Sequence, residues 1–233
     1  MARVIVITGT SKGIGLELAK YYLQKGDMVV GCARSQNNIK DKNYRHFVLD
    51  VSDERAVVDM IREVKTEFNK IDILINNAGI ASMNHFLTTS FESVKKVFST
   101  NFLGTFLFSR EVGKIMMRQK FGRIVNYTTV ASALRLEGEA IYAASKSAIE
   151  NLTQTLSKEL APFNITVNAI GPTPVKTDLI KAVPQDKIDA LLEKQAIKRL
   201  GNFEDIKNVI DFYIDEKSEF ITGQILYLGG VNG

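Results

Sequence analysis

The sequence predicts an α/β fold in which about seven parallel strands form one doubly wound sheet flanked by helices. Seven short runs of β-branched and apolar residues alternate with helical patterns along the chain, as in sheets that helices cover on both faces. Polar and glycine residues cluster where these runs end, and such sheets bind ligands at the carboxyl ends of their strands. The 233 residues, 45% of them hydrophobic, are enough for one domain spanning 1–233.

The first half of the chain contains four predicted strands, each a short apolar run. They span residues 4–8, 28–32, 44–49 and 71–75. The helix after the first strand ends near Gly26, because glycine is favoured directly after a helix. A second helix, with an apolar stripe from Val57 to Phe68, precedes the fourth strand. Ser52 is its predicted N-cap, and the polar residues 35–43 are predicted to form a loop.

The second half of the chain alternates in the same way. Strands are predicted at 123–127, 165–170 and 224–228. Helices are predicted at 90–119, with an interruption near Gly104, and at 141–160, 186–195 and 204–215. Three of the four prolines, Pro172, Pro174 and Pro184, lie close together and indicate an irregular loop.

Composition excludes several classes of function. The net charge is +4, from 30 Lys+Arg and 26 Asp+Glu, and the two signs are interleaved, so we expect no nucleic-acid partner. One cysteine, Cys32, excludes an intramolecular disulfide, and only two histidines accompany it, which argues against a metal site. No apolar stretch approaches the ~18 residues that cross a bilayer and no signal peptide is visible. We therefore expect a cytoplasmic protein without a membrane partner.

A glycine-containing turn follows the first strand. Gly9, Gly13 and Gly15 lie between that strand and the first helix. Glycines there allow a tight turn and close approach of the backbone to a ligand, and the free N–H groups of the helix favour an anion such as a pyrophosphate. Ile14 stands where the phosphate-binding loop of nucleotidases requires glycine. A purely structural turn is the alternative interpretation.

A tyrosine and a lysine, Tyr142 and Lys146, are four residues apart in a predicted helix and therefore share one of its faces. A phenol has a pKa near 10 and is a poor acid at neutral pH. A nearby ammonium stabilises the phenolate and lowers that pKa, which suits Tyr142 to general acid–base catalysis. Taken alone, such a pair is common and more often marks an exposed helix face.

Three motifs, in order along the chain, carry a family resemblance. They are Thr8-Gly9-Thr10-Ser11-Lys12-Gly13-Ile14-Gly15, Asn76-Asn77-Ala78-Gly79 and Tyr142-Ala143-Ala144-Ser145-Lys146. In them the sequence resembles the short-chain dehydrogenase/reductase family, and most of all its members of the 3-oxoacyl-carrier-protein reductase type. The resemblance covers nearly the whole chain. It implies a Rossmann-like dinucleotide-binding catalytic domain and NAD(P)-dependent reduction of a ketone or 3-oxoacyl group to a secondary alcohol by hydride transfer.

The resemblance also implies which residues bind the cofactor. The glycine turn would hold the pyrophosphate, Asp50 and Val51 the adenine, and residues 170–177 would cover the nicotinamide. Asn76 and Ala78 would line the adenosine-ribose and nicotinamide side. The full implied set is Gly9, Ser11, Lys12, Gly13, Ile14, Gly15, Arg34, Asp50, Val51, Asn76, Ala78, Gly79, Tyr142, Lys146, Pro172, Val175 and Thr177.

By the same resemblance, Tyr142 would be the proton donor in reduction. Lys146 would bind the nicotinamide ribose and lower the pKa of Tyr142. Asn101 would order a water molecule that relays protons to Lys146. The family usually has serine thirteen residues before the tyrosine, where this chain has Thr129. Threonine retains the hydroxyl that donates to the substrate carbonyl, although its extra methyl group restricts the rotamer.

Two features leave alternatives open. Thr128 or Ser132 could supply the hydroxyl instead of Thr129. Thr173 follows Pro172 where the family usually has glycine, and it would be strained if the backbone there needs a glycine conformation. These departures support one rival hypothesis, a catalytically impaired NADP(H)-binding protein that acts as a sensor or assembly subunit.

The cofactor, the substrate and the oligomeric state can also be predicted. The second strand ends at Ala33 and Arg34 rather than at the acidic residue that binds a ribose 2′-hydroxyl. Arg34 and Lys12 would instead attract a 2′-phosphate, so NADPH is the predicted cofactor and NADH the alternative. The substrate would be a small carbonyl compound, which a carrier could present as a thioester, bound beside a loop at 173–199. The family usually forms dimers or tetramers, so we expect a homodimer or homotetramer.

Overall fold

The computed structural model describes residues 2–175 and 185–232, and among these residues seven parallel strands form one sheet. The order across the sheet is β3-β2-β1-β4-β5-β6-β7, which confirms the predicted α/β fold. The strands are β1 (Val4–Thr8), β2 (Met28–Ala33), β3 (Tyr44–Val48), β4 (Ile73–Asn76), β5 (Gly122–Tyr127), β6 (Ile165–Gly171) and β7 (Ile225–Tyr227).

The strand order reverses between β1 and β4. The chain first builds outward from β1 to β3 and then crosses back to place β4 on the other side of β1. Ile7 pairs with Ile75 and Thr8 with Cys32, so the three strands end at the same edge. A reversal of this kind opens a crevice at the carboxyl ends of the strands. The segments that follow Thr8 and Asn76 lie at that crevice.

Helices cover both faces of the sheet. Helices α2 and α4 pack on one face through residues such as Ile61 and Phe108. Helices α1 and α8 pack on the other through Leu18 and Ile210. The two buried clusters fix the sheet from both sides. The helices are α1 (Gly13–Gln24), α2 (Glu54–Phe68), α3 (Phe91–Phe98), α4 (Gly104–Gln119), α5 (Val130–Leu134), α6 (Ala140–Leu160), α7 (Gln185–Glu193) and α8 (Phe203–Ile214).

The N-cap of α2 differs from the prediction. Asp53, not Ser52, caps the helix by accepting a hydrogen bond from the Ala56 amide. Ser52 lies one residue too early, and its hydroxyl donates to Asp50 Oδ1 at 2.6 Å. Both bonds shape the turn after β3, which is part of the crevice.

The predicted interruption near Gly104 is a π-helical segment, Ser99–Leu103, between α3 and α4. An ideal Cβ at Gly104 would lie 2.7 Å from a methyl carbon of Val51, so glycine lets the helix pack closely against the crevice edge. The segment turns Asn101 inward, where it is fully buried. None of the helices in the described residues is both long and apolar enough to span a bilayer.

Candidate active site

Two adjoining cavities lie at the carboxyl ends of the strands. The glycine-turn cavity has a volume of about 440 Å³ and extends from Gly9 to Arg34 and Asp50. The tyrosine cavity has a volume of about 570 Å³ and contains Thr129, Tyr142 and Lys146. A long ligand could extend from one into the other, because the two share a wall formed by Ile14, Asn77, Gly79 and Ile80.

The turn after β1 requires its glycines. Gly9 and Gly13 have φ values of +78° and +59°, in the left-handed region that favours glycine. An ideal Cβ at Gly15 would lie 2.3 Å from the Gly9 carbonyl oxygen. Asn77 braces the turn, because its Nδ2 donates to the Thr8 carbonyl at 2.9 Å. Helix α1 begins at Gly13 without a side-chain cap from Lys12, so its first amides are available to an anion.

Most residues of the implied cofactor set line one of the two cavities. Pro172, Val175, Tyr142 and Lys146 line the tyrosine cavity. Gly15 packs behind Gly9 rather than lining a wall, and Thr177 lies outside the described residues. The glycine-turn cavity is lined by Gly9, Ser11, Lys12, Gly13, Ile14, Arg34, Asp50, Val51, Ala78 and Gly79.

Asn76 differs from this expectation, because it lines neither cavity. Its side chain is 2% exposed and points into the interior, where Nδ2 donates to Asn126 Oδ1 at 2.8 Å and to Ser109 Oγ at 3.0 Å. Asn76 is the last residue of β4, and successive side chains of a strand point to opposite faces of the sheet. Only one of the side chains of Asn76 and Asn77 can therefore face the crevice. Asn77 occupies that position.

Lys146 is almost completely buried, at 4% exposure, and its Nζ donates to the carbonyl oxygen of Tyr127 at 2.8 Å. Burial lowers the pKa of Lys146 to about 8, although the charge of Glu150 opposes the shift. The ammonium therefore begins to lose its proton only slightly above neutral pH.

The pKa of Tyr142 is raised to about 12, whereas the sequence predicts that Lys146 lowers it. Burial of the phenol is the main cause, and the nearby carboxylate of Glu139 adds to it, while a hydrogen bond with Thr129 opposes it. Loss of hydration disfavours the phenolate more strongly than Thr129 stabilises it. The phenol of Tyr142 consequently stays protonated at neutral pH.

The hydroxyl groups around Tyr142 have different partners. Thr129 lines the same cavity as Tyr142, and its hydroxyl opposes the rise in the pKa of that phenol. It also caps α5 by accepting from the Ala131 amide at 3.2 Å. Thr128 and Ser132 both donate to the carboxylate of Glu150 instead. Among the three hydroxyls that the sequence leaves open, the geometry therefore favours Thr129 as the partner of Tyr142.

Asn101 is fixed by the loop after β4. Its Oδ1 accepts from the Ile80 amide at 2.8 Å, and its Nδ2 donates to the Ile80 carbonyl at 3.0 Å and to Ser145 Oγ at 3.0 Å. An ideal Cβ at Gly79 would lie 3.4 Å from both Asn101 Oδ1 and Lys146 Nζ. Glycine thus leaves room beside the two polar groups that the sequence places in one proton relay.

Thr173 is not strained. The described non-glycine residues with positive φ are Asn69, Lys120, Arg135 and Asn164. Thr173 is therefore outside the left-handed region, which is the conformation that would have required glycine. Its side chain is buried, at 4% exposure.

The family can be assigned from the sequence comparison. The model of the short chain dehydrogenase family matches residues 3–188. The chain belongs to this family. A 3-oxoacyl-(acyl-carrier-protein) reductase of Staphylococcus epidermidis is 34% identical over 240 residues, which cover 99% of this chain and 98% of that protein. The resemblance found in the three motifs is thereby confirmed.

Two solved structures of similar proteins contain nicotinamide cofactors. ElxO, solved with NADP bound, superposes with a TM-score of 0.90 at 29% identity and covers 99% of this chain and 98% of its own. A 4-hydroxyisoleucine dehydrogenase complexed with NADH gives a TM-score of 0.88 at 30% identity, covering 98% and 97%. This short-chain dehydrogenase is therefore an oxidoreductase that acts on alcohol or carbonyl groups with a nicotinamide cofactor.

The glycine-turn cavity fits a dinucleotide. At Gly15 a side chain would collide with the turn, the uncapped amides of α1 can bind a pyrophosphate, and the shared wall leads to Tyr142. Asp50 and Arg34 line the far end. Burial opposes ionisation of Asp50, but hydrogen bonds from Ser52 and the charge of Arg34 keep the pKa of that carboxyl below its usual value.

Sequence reasoning missed three residues of this dehydrogenase site: Asn77, Glu139 and Glu150. Asn77 lies within a recognised motif, but its side-chain direction depends on where β4 ends. Glu139 lies three residues before Tyr142, and Glu150 four residues after Lys146. Lys146 and Glu150 have the same i, i+4 spacing as the Tyr142–Lys146 pair, and i, i+3 neighbours such as Glu139 and Tyr142 also meet on a helix surface, so helix periodicity could have found both. Nowhere in 2–175 or 185–232 do three His, Cys, Asp or Glu side chains cluster as metal ligands.

Proposed function

We propose that this short-chain dehydrogenase uses NADPH to reduce a ketone or 3-oxoacyl group to a secondary alcohol, with Tyr142 as proton donor. The observation that carries the proposal is the position of Tyr142, Thr129 and Lys146 in one cavity, beside the wall shared with the glycine turn. A carbonyl oxygen placed there could accept hydrogen bonds from Thr129 and Tyr142, where negative charge develops during reduction.

The protonation state of Tyr142 is consistent with the proposed role. Burial raises the pKa of the phenol to about 12 in the cofactor-free protein, so the phenol carries at neutral pH the proton that a donor must supply, although the raised pKa also makes it a weaker acid. The nicotinamide would supply the hydride when bound. Lys146 would hold the ribose, and its neighbour Asn101 would order water for proton return.

The polar groups of the glycine-turn cavity support a preference for NADPH. Lys12, Arg34 and Ser35 line the same cavity, and β2 ends at Ala33 rather than at an acidic residue. Two cations and no carboxylate at that strand end suit a 2′-phosphate better than a 2′-hydroxyl.

The lining of the tyrosine cavity supports a substrate with an apolar body. Its walls include Met83, Val130, Leu136, Ile188 and Leu191. A similar protein, the 3-oxoacyl-(acyl-carrier-protein) reductase of Staphylococcus epidermidis, is named for a thioester substrate. We propose an acyl thioester for this enzyme as well. Exposed apolar side chains on and beside α4, Leu103 and Phe106, support assembly into a homodimer or homotetramer.

The role of Tyr142 is tested with Tyr142→Phe, which removes the acidic proton and keeps the ring. We expect kcat for a 3-oxoacyl thioester to fall by at least about a thousandfold, while the Kd of NADPH changes less than about threefold. Steady-state kinetics and calorimetry measure the two quantities. A variant that retains most of its activity would remove Tyr142 from the proposed role.

The cofactor preference is tested by calorimetric titration with NADPH and NADH. We expect NADPH to bind at least about tenfold more tightly, and Arg34→Ala to reduce that ratio by about tenfold because a charge-assisted hydrogen bond contributes about 1.5–3 kcal/mol. Arg62→Ala, an exposed arginine on α2, is the matched control. Equal affinities of the unmodified protein for the two cofactors would contradict the proposal.

A further inference from the structure

Helix α6 carries a carboxylate that bonds to the segment bearing Thr129. Glu150 lies one helical turn beyond Lys146. Its Oε1 accepts from Ser132 Oγ at 2.6 Å and from Thr128 Oγ1. Thr128 and Ser132 stand on either side of Thr129, at the junction of β5 and α5.

These contacts fix the direction of both hydroxyls. An ionised carboxylate only accepts hydrogen bonds, so Thr128 and Ser132 must each donate their proton to Glu150. Ser132 Oγ also lies 2.7 Å from the Thr129 carbonyl oxygen, but a hydroxyl has one proton and the carboxylate is the stronger acceptor.

A third element joins the same group. Tyr227 of β7 lies close enough to Glu150 for the carboxylate to act on it, since burial and then that carboxylate raise the pKa of Tyr227 to about 12. The ring of Tyr227 packs over Gly171, where an ideal Cβ would lie 2.4 Å from a ring carbon. The Glu150 cluster, defined as Glu150, Thr128, Ser132 and Tyr227, thus connects α6 with β5, α5 and β7.

We propose that Glu150 is a positioning residue of the reaction, which holds Thr129 at the correct distance from Tyr142 by bonding to the residues on both sides of Thr129. The inference rests on the proposed function, because it assigns to Thr129 and Tyr142 the binding of one carbonyl oxygen. Tyr142 and Lys146 are on α6 and Thr129 is on another element, so their separation depends on a contact between the two elements.

Glu150 also acts on Lys146 through its charge. The groups around the Lys146 ammonium are Tyr142 and Glu150 on α6, the Tyr127 carbonyl of β5, and Gly79 and Asn101 on the other side. The carboxylate of Glu150 opposes the decrease in the pKa of Lys146 that burial causes. Loss of the Glu150 charge should lower the pKa of Lys146 further.

The test is Glu150→Gln, which preserves size, removes the charge and replaces the charge-assisted hydrogen bonds from Thr128 and Ser132 with weaker bonds to a neutral amide oxygen. We expect kcat to fall by about tenfold or more, since a small misplacement of a catalytic group has an effect of that size, with the Kd of NADPH unchanged. The alkaline limb of the kcat profile should move to lower pH. Glu159→Gln, an exposed glutamate farther along α6, is the matched control and should change neither.

Two measurements on the cofactor-free protein make the test independent of substrate. In NMR spectra, Glu150→Gln should shift the Thr129 amide resonance and lower the titration midpoint of Lys146 from near pH 8, with Lys146→Arg used for assignment. Ser132→Ala, a smaller change, should also reduce kcat, and should add little to Glu150→Gln in the double variant.

If Glu150→Gln has a kcat within about twofold of the unmodified enzyme and unchanged Thr129 and Lys146 resonances, the proposal is overturned. Glu150 would then contribute to packing only. Additive effects of Ser132→Ala and Glu150→Gln would overturn it as well. If the unmodified protein reduces no ketone, the proposed function fails, and the two NMR measurements still decide whether Glu150 positions Thr129.

Discussion

Gly15 has no space for a side chain, and this determines the shape of the turn after β1. An ideal Cβ there would lie 2.3 Å from the Gly9 carbonyl oxygen and 2.4 Å from Asn77 Nδ2. The first atom belongs to the turn and the second to the Asn77 side chain that donates to its backbone, so neither can move without disturbing the loop that would bind the cofactor.

Gly15→Ala is therefore expected to weaken NADPH binding by at least about tenfold and to lower the Tm, because contacts this short force the backbone to shift. Calorimetry and thermal unfolding measure the two effects. Gly113→Ala on α4 is the control: an ideal Cβ there meets no atom within 4 Å, so alanine should stabilise the helix by about 0.5–1 kcal/mol. Unchanged NADPH affinity in Gly15→Ala would contradict the assigned role of the turn.

Individual residue roles were predictable where a spacing or motif carries them. The glycines of the turn are an example, because their need for space or for positive φ is a property of glycine itself. The pKa of Tyr142 was not predictable, since it depends on how deeply α6 buries the phenol and on Glu139 beside it. The side-chain direction of Asn76 was also inaccessible, because it depends on where β4 ends.

Among the elements, the π-helical segment Ser99–Leu103 has a clear structural role. It allows Asn101 to bond with both backbone groups of Ile80, which attaches the α3–α4 region to the loop after β4. In a regular α-helix the Asn101 side chain would point in a different direction, because successive side chains are rotated by about 100° around the axis of such a helix.

Asn101→Ala is expected to destabilise the protein by about 1–3 kcal/mol, since it leaves two partly buried backbone groups of Ile80 without their present partners, and each such loss costs at most about 1–3 kcal/mol. It should also weaken NADPH binding, because the loop 77–80 forms the wall between the cavities. Urea unfolding and calorimetry test both. Asn38→Ala, at an exposed position, is the control, and a free energy of unfolding in Asn101→Ala equal to that of Asn38→Ala would disprove the argument.

At the level of elements, apolar runs predicted the positions of the strands to within a few residues, because strands that are buried on both faces consist mainly of apolar residues. The short helix α5, Val130–Leu134, was missed. Five residues are too few to show helical periodicity, and α5 exists because the Thr129 side chain caps it. The N-cap of α2 was displaced by one residue, which is within the usual uncertainty of helix ends.

For the whole molecule, the burial of Lys146 links stability to pH. Its pKa is about 8 in the folded protein and near 10.4 in an unfolded chain. Between these values the unfolded chain binds more protons, so the contribution of Lys146 to folding becomes more favourable as pH rises. Below pH 8 the full cost of burying the ammonium is present.

The change in the free energy of unfolding that Lys146→Met causes should therefore be more favourable at pH 7 than at pH 10.5, by about 3 kcal/mol. The substitution should also abolish activity. The lost hydrogen bond to Tyr127 adds a cost that does not depend on pH. Urea unfolding at both pH values measures the difference, with Lys158→Met at an exposed position of α6 as control. An equal change in the free energy of unfolding at both pH values would show that burial of the Lys146 ammonium does not destabilise the folded protein.

The wall shared by the two cavities has a consequence for the handedness of the product. In the proposed reaction, Thr129 and Tyr142 hold the carbonyl oxygen in the tyrosine cavity, and the hydride comes from the nicotinamide end of a dinucleotide that reaches this cavity past the shared wall. The two substituents of the ketone must then occupy different parts of the cavity, whose lining includes Met83 and Leu136. Only one face of the flat carbonyl can meet the hydride, so a prochiral ketone should yield a single enantiomer.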